Sequence, residues 1–308
     1  MPFILSTVIC VHSIDRLKKV VFVIVVIMIY IALYGLVFGG VGSGSYFHDE
    51  NDLSLFINMW LPFCFFLFPI EKVKLRKAIY ALGLPIGLAA NVASMSRGGF
   101  VGMVCVGFVC WLFSSKKVLS LIIICVAGVA IYFFAGDAYL REMNTVTDTQ
   151  EGTAQARMES WKAGWSMFID HPWGVGGNNF QVKFPYYQTD WFQRGMWGRV
   201  AHSLWFTLLP ELGVLGVLIY FLLLFYNIKD IVFLRRIDIG NSPDLQYVHS
   251  LSSAFLASMA GYFASGTFLS ILYYPHYWYL TGIIVASAGI AKSLPTDQRV
   301  AGESGVAS

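Results

Sequence analysis

The chain has 308 residues, 57% of them hydrophobic and 13% charged, with a net charge of +3. A soluble domain carries about 25% charged residues, so this composition excludes a soluble fold, a disordered chain, a collagen-like chain and a disulfide-rich secreted scaffold. A charge of +3 supplies no basic footprint for nucleic acid. The chain reads as an integral membrane protein.

In chain order, residues 1–14 are apolar, but as a helix they rise only about 21 Å, short of a hydrocarbon core of about 30 Å. They lack the charged start and small-residue cleavage site of a signal peptide. The expectation is the tail of a helix whose beginning is missing. Apolar runs of span length follow at 20–38, 53–70, 78–95, 98–113, 118–135, 203–226, 251–272 and 277–291. The predicted fold is therefore all-α, a polytopic transmembrane bundle of about eight spans. Charge placement gives the threading, because short cytoplasmic loops collect Lys and Arg. One alternating path puts +7 on the cytoplasmic face and −4 on the outer face, with both termini inside. The chain divides into a five-helix membrane region (1–135), an outer loop (136–201), a three-helix membrane region (202–292) and a cytoplasmic tail (293–308). Cys10, Cys64, Cys105, Cys110 and Cys125 all lie in apolar runs without a C-x-x-C pair, as structural thiols do.

The outer loop is long and keeps pattern, which marks function more often than linkage. Residues 153–170 have helical periodicity. Ala154, Met158, Trp161, Trp165, Phe168 and Ile169 share one face, opposite Gln155, Glu159, Lys162 and Ser166. A Trp-rich face of this kind suits the membrane interface. His171-Pro172 ends the helix, and Gly174-Val175-Gly176-Gly177 makes a tight turn that lacks the context of a dinucleotide fingerprint.

Five positions carry chemistry. Arg97 follows the uncharged stretch 78–96 and precedes Gly98-Gly99. It is either an interfacial anchor or a functional charge, and the paired glycines would let a ligand approach the backbone. Arg157 lies on the edge of the apolar stripe, where it either snorkels to water or meets an anion. His202 stands where the loop re-enters the membrane. Glu211 follows nine residues later, about 13 Å along a helix, so direct contact between them is not expected. His48-Asp49-Glu50-Asn51-Asp52 caps the second span, with Asn51 or Asp52 as its N-cap. These spacings form no metal-ligand motif.

Taken in order, Ser96-Arg97-Gly98-Gly99, Arg157-x-x-x-Trp161, Asp170-His171-Pro172-Trp173-Gly174-Val175-Gly176, Ala201-His202-Ser203 and Glu211-Leu212-Gly213-Val214-Leu215-Gly216 resemble the O-antigen ligase and polymerase superfamily of bacterial envelope glycan assembly. Residues 47–52 resemble its branch of exosortase-associated O-glycosylation ligases. The resemblance implies a periplasmic active face on the bacterial inner membrane. It implies an undecaprenyl-diphosphate-linked glycan as donor, and a glycan, lipid A core or protein hydroxyl as acceptor. Transfer would need neither metal nor cofactor. Arg97 and Arg157 match the family's outer arginines and His202 its loop histidine; His171, Trp161 and Glu211 have supporting places. Family members carry further helices ahead of this region, which fits the expectation for residues 1–14.

The residue types fit that chemistry. A guanidinium grips phosphate bidentately and never deprotonates, so two could neutralise a diphosphate leaving group, as a metal does elsewhere. An imidazole is the side chain best suited to take a hydroxyl proton near neutral pH. The rivals are a polymerase of the same superfamily and, from another class, a transporter or flippase. Against the latter, the polar residues gather at one face, and the helices lack matched breaks in the two halves.

Overall fold

The computed structural model describes residues 2–44, 47, 49–134, 137, 139, 152–192 and 195–294, and no strand occurs among them. The chain forms α1 (Pro2–Cys10), α2 (Ile14–Val37), α3 (Glu50–Leu67), α4 (Lys74–Ala93), α5 (Arg97–Phe113) and α6 (Lys117–Phe134). After the loop's first part come α7 (Gly152–Asp170), α8 (Phe180–Tyr187), α9 (Leu204–Arg236), α10 (Pro243–Gly266) and α11 (His276–Ser293). Each of the eight apolar runs is a helix. By length and composition, Ile14–Val37 and Leu204–Arg236 are long and apolar enough to cross a membrane, while Arg97–Phe113 and Lys117–Phe133 are apolar but shorter.

Residues 1–14 do not run straight into the next helix: α1 stops at Cys10, and Ser13 caps α2 by accepting from the Arg16 N–H. The run expected to reach residue 272 ends as α10 at Gly266, because Thr267 turns back on the helix. Its hydroxyl donates to the Phe263 carbonyl at 2.9 Å and accepts from the Trp205 indole at 3.2 Å. The turn that follows is what brings Tyr273 and Tyr274 to the site.

Helices α2, α3, α4, α9, α10 and α11 share one apolar core around Trp60, Phe63, Phe255, Tyr262 and Tyr277. The outer flanks stay apolar: Val23, Ile27, Phe108, Val126, Leu218, Ile219 and Phe225 are exposed. Water would penalise so much exposed hydrocarbon at about 25 cal/mol per Å², whereas lipid does not. Alternate helices begin at the same end. At one end Lys18 of α2 meets Asp244 of α10 at 2.8 Å, and Lys292 of α11 lies 3.9 Å from Asp230 of α9. At the other end α3, α5, α9 and α11 begin. That end carries the site.

Candidate functional site

At the site end, α3 and α5 start side by side. The N-cap of α3 is Asp49, not Asn51 or Asp52: its carboxylate accepts from the Asn51 N–H at 2.7 Å. Asn51 is thereby free to accept the Ser96 hydroxyl at 2.6 Å, and Asp52 accepts from the Tyr274 hydroxyl at 3.2 Å. Ser96 caps α5, accepting from the Gly99 N–H at 2.8 Å, which fixes Arg97 as its first helical residue. Gly99 serves packing, since a Cβ there would lie 2.3 Å from Ser54 Oγ, whereas one at Gly98 would make ordinary contact at 3.4 Å with the Phe268 side chain. Beneath them Asn58 donates to the Gly99 carbonyl at 2.9 Å and accepts from Asn91 at 2.8 Å. This buried network joins α3, α4 and α5, a use of amides that apolar surroundings favour. His48 lies outside the described residues.

The second part of the site is built by α7. Its protein-facing stripe is Ser160, Ala163, Gly164 and Met167, while Trp165 and Ile169 point outward. Small residues let α7 lie close on α9: a Cβ at Gly164 would sit 3.3 Å from the Phe206 carbonyl oxygen. The large aromatics are left for another medium. Ala163 and Met167 join Phe180, Phe184, Phe192 and Ala201 in a small core of the loop's own. Two α7 side chains then hold the segment leading into α9. Trp161 donates its indole N–H to the Ala201 carbonyl at 3.0 Å and stacks on Phe206 with centroids 5.2 Å apart. Ser160 Oγ accepts from Arg199 Nε at 2.8 Å.

His202 follows with a left-handed backbone, φ 48°, and Ser203 caps α9. Its pKa is lowered from the ordinary imidazole value, first by burial, then by the positive charges of Arg157 and Arg199; Asp49 pulls the other way. Arg157, Arg199 and Asp49 therefore lie within electrostatic reach of His202. Asn51 donates to Asp49 at 2.6 Å, so the line Ser96–Asn51–Asp49 connects the start of α5, where Arg97 stands, to the surroundings of His202.

The third part locks the loop to α9. Gly213 breaks that helix with φ 61° and ψ −166°, and Gly174 and Gly176 are also left-handed, at 92° and 96°. The broken turn exposes carbonyls that the loop fills: Val175 N–H donates to Pro210 at 2.9 Å and Gly176 N–H to Glu211 at 3.0 Å. In return Val214 N–H donates to the Pro172 carbonyl at 2.9 Å. A Cβ at Gly213 would lie 2.3 Å from the Trp173 carbonyl carbon, so only glycine fits. Glu211 is 3% exposed and accepts from Asn178 N–H at 2.9 Å, Phe180 N–H at 2.8 Å and the Tyr273 hydroxyl at 2.5 Å. Burial and this carboxylate push the Tyr273 pKa up. Glu211 thus holds the glycine turn, in keeping with the expectation that it does not touch His202. His171 is exposed, and its carbonyl accepts from Gly174 N–H at 2.9 Å, within the turn.

Of the residues singled out in the sequence, the fold brings Arg157 and Trp161 of α7 to the segment that carries His202, and Arg97 opens α5 at the same end. Glu211 and His171 belong to the lock. Arg199 and Tyr273 went unmarked in the sequence, and Asp49 was marked only as part of the cluster that caps α3. Only the three-residue distance between Arg199 and His202 could have flagged the first.

Fold and site together define a helical protein with apolar flanks and with Arg157 and Arg199 bearing on His202 at the end where α3, α5, α9 and α11 begin. Residues 82–221 match the family described as O-antigen ligase, a range containing Arg97, Arg157, Trp161, His171, His202 and Glu211, and this match supports the resemblance to the O-antigen ligase/polymerase superfamily. No curated protein matches the chain.

Proposed function

We propose that the protein is a ligase-type membrane glycosyltransferase, moving a glycan from an undecaprenyl-diphosphate carrier to an acceptor hydroxyl at the periplasmic face of the inner membrane. The observation that carries this reading is the placing of half-buried His202, whose preceding carbonyl at Ala201 is held at 3.0 Å by Trp161, one turn of α7 from Arg157. Neutral His202 accepts the proton of the acceptor hydroxyl as its oxygen bonds the sugar's anomeric carbon. The bond from that carbon to the diphosphate breaks, and Arg157 and Arg97 stabilise the departing charge. Lipid linkage of the donor is supported by an apolar groove of about 660 Å³ between α3, α4, α5 and α6, lined by Phe65, Phe100, Met103 and Trp111 among others. It runs along α5, the helix that Arg97 opens.

In this reading the eight long helices are spans, five in residues 1–135 and three in 202–292. Residues 136–201 form the periplasmic loop, whose outward Trp165 and Ile169 rest in the headgroup layer, and 293–308 lie in the cytoplasm. The test is reconstitution of the full chain in proteoliposomes with a lipid-diphosphate glycan and, separately, lipid A core, protein and glycan acceptors. Transfer to core or protein, persisting in a metal chelator, supports the ligase. Extension of glycan alone identifies a polymerase of the same superfamily, and solute uptake without transfer overturns the reading in favour of a transporter.

A further inference from the structure

Arg199 is held as a ligand-binding arginine is held. Its Nε donates to Ser160 Oγ at 2.8 Å, and its guanidinium carbon lies 4.9 Å above the Phe192 ring. Both supports are themselves fixed: Ser160 is fully buried and donates to the Ala156 carbonyl at 2.8 Å, while Phe192 packs edge-on to Phe184 at 5.3 Å. Both are also neutral. No carboxylate pairs with Arg199 among the described residues, and its two terminal amino groups have no hydrogen-bond partner there.

Its neighbours make the missing anion more telling. Ser160 stands one turn after Arg157 on α7, so the two guanidiniums approach from adjacent elements. Burial and the Arg157 charge both lower the Arg199 pKa. Two like charges in partly desolvated surroundings repel. Asp49 is the acidic group that bears on His202 from the start of α3. A side chain whose stem is stacked and whose Nε is spent on a buried hydroxyl has little rotamer freedom left to lose on binding. Along the chain Arg199 is three residues from His202, at most about 10 Å.

We propose that Arg199 and Arg157 form a two-pronged clamp for a diphosphate ester, with Arg199 gripping the donor's diphosphate beside the sugar that His202 serves. The assignment rests on the lipid-diphosphate donor of the proposed function and adds to it a binding residue. The geometry also gives Ser160 a purpose: it aims Arg199.

The experiment uses the full chain in phosphatidylcholine nanodiscs, with inorganic diphosphate as probe, both bound directly and as an inhibitor of transfer. Arg199→Gln should weaken diphosphate binding and raise the donor KM about 10- to 100-fold. It should also move the acid limb of the rate profile upward, because one charge depressing His202 is gone. Wild-type diphosphate affinity in Arg199→Gln overturns the clamp, as does wild-type transfer that diphosphate fails to inhibit. If Arg199→Gln does not accumulate, Arg199→Lys carries the test. An ammonium keeps the charge and loses the fork, so affinity should drop several-fold, and unchanged affinity overturns the proposal. Wild type that transfers to no acceptor would overturn the transferase reading instead, while diphosphate binding lost in Arg199→Gln would still uphold the clamp.

Discussion

His202 is poised by three separate influences: a left-handed backbone (φ 48°), burial, and two neighbouring guanidiniums. A non-glycine residue in that backbone region stores about 1–3 kcal/mol, kept in place here by the Trp161 bond to Ala201 and the Ser203 cap. The pKa is lowered from 6.5. Since the working base is the neutral imidazole, lowering extends the active form to more acid pH. The acid limb of transfer should thus lie below pH 6.5 and vanish in His202→Ala, with the rate reduced about 10²- to 10⁴-fold. Initial rates against pH decide it, and an unchanged limb removes His202 from the mechanism. For the arginines, Arg157→Lys keeps charge and loses the fork, so transfer should fall about 10-fold, and Arg97→Ala should fall further, both with normal expression; a lost charge-assisted bond costs about 1.5–3 kcal/mol. Full transfer with reduced expression would make them surface anchors.

At the scale of elements, the Gly174–Gly176 turn and the Gly213 break are two halves of one joint. Gly213→Ala must both adopt φ 61° and clear a contact of 2.3 Å, so it should lower the melting temperature and abolish most transfer. Gly289→Ala, where nothing lies within 4 Å, should leave both unchanged; equal behaviour of the two variants refutes the joint. The individual elements were largely readable in the sequence. Hydropathy marked the long apolar helices, periodicity marked α7, and the glycine cluster announced a turn. The pairings were not readable. Periodicity put Trp165 on the strong face of α7, yet the face that meets protein is the small one through Ser160 and Ala163, because close helix packing favours small side chains. Gly98-Gly99 looked like room for a ligand, yet beside Gly99 that room is taken by Ser54. Asp49, one of three acids around the α3 start, is the cap, while Asn51 serves Ser96, 45 residues away. Arg199 acquires meaning from Ser160, 39 residues upstream. Such partners lie beyond any local window.

For the whole molecule, cations stand at both ends of the helices. Lys18, Arg76, Arg235 and Lys292 stand at one end, where ion pairs, a serine and aromatic rings hold them. The site cations stand at the other. With the five native cysteines replaced by serine, single cysteines at Ser43 and Asp190 should react with an impermeant thiol reagent in intact spheroplasts. One at Asn241 should react only after permeabilisation. Labelling at Asn241 with silence at Asp190 would invert the orientation and take the site out of the periplasm.

The joint between residues 172–176 and 210–214 also bears on inheritance. A loop that lends its N–H groups to a fractured helix, and borrows one back, cannot be exchanged as a self-contained cassette. A chimaera that swaps residues 136–201 for those of another superfamily member should fail to fold its loop unless residues 210–214 of the same donor travel with it. Acceptor preferences carried by the loop would therefore diversify together with a short piece of membrane helix, and the two segments would drift through evolution as one unit.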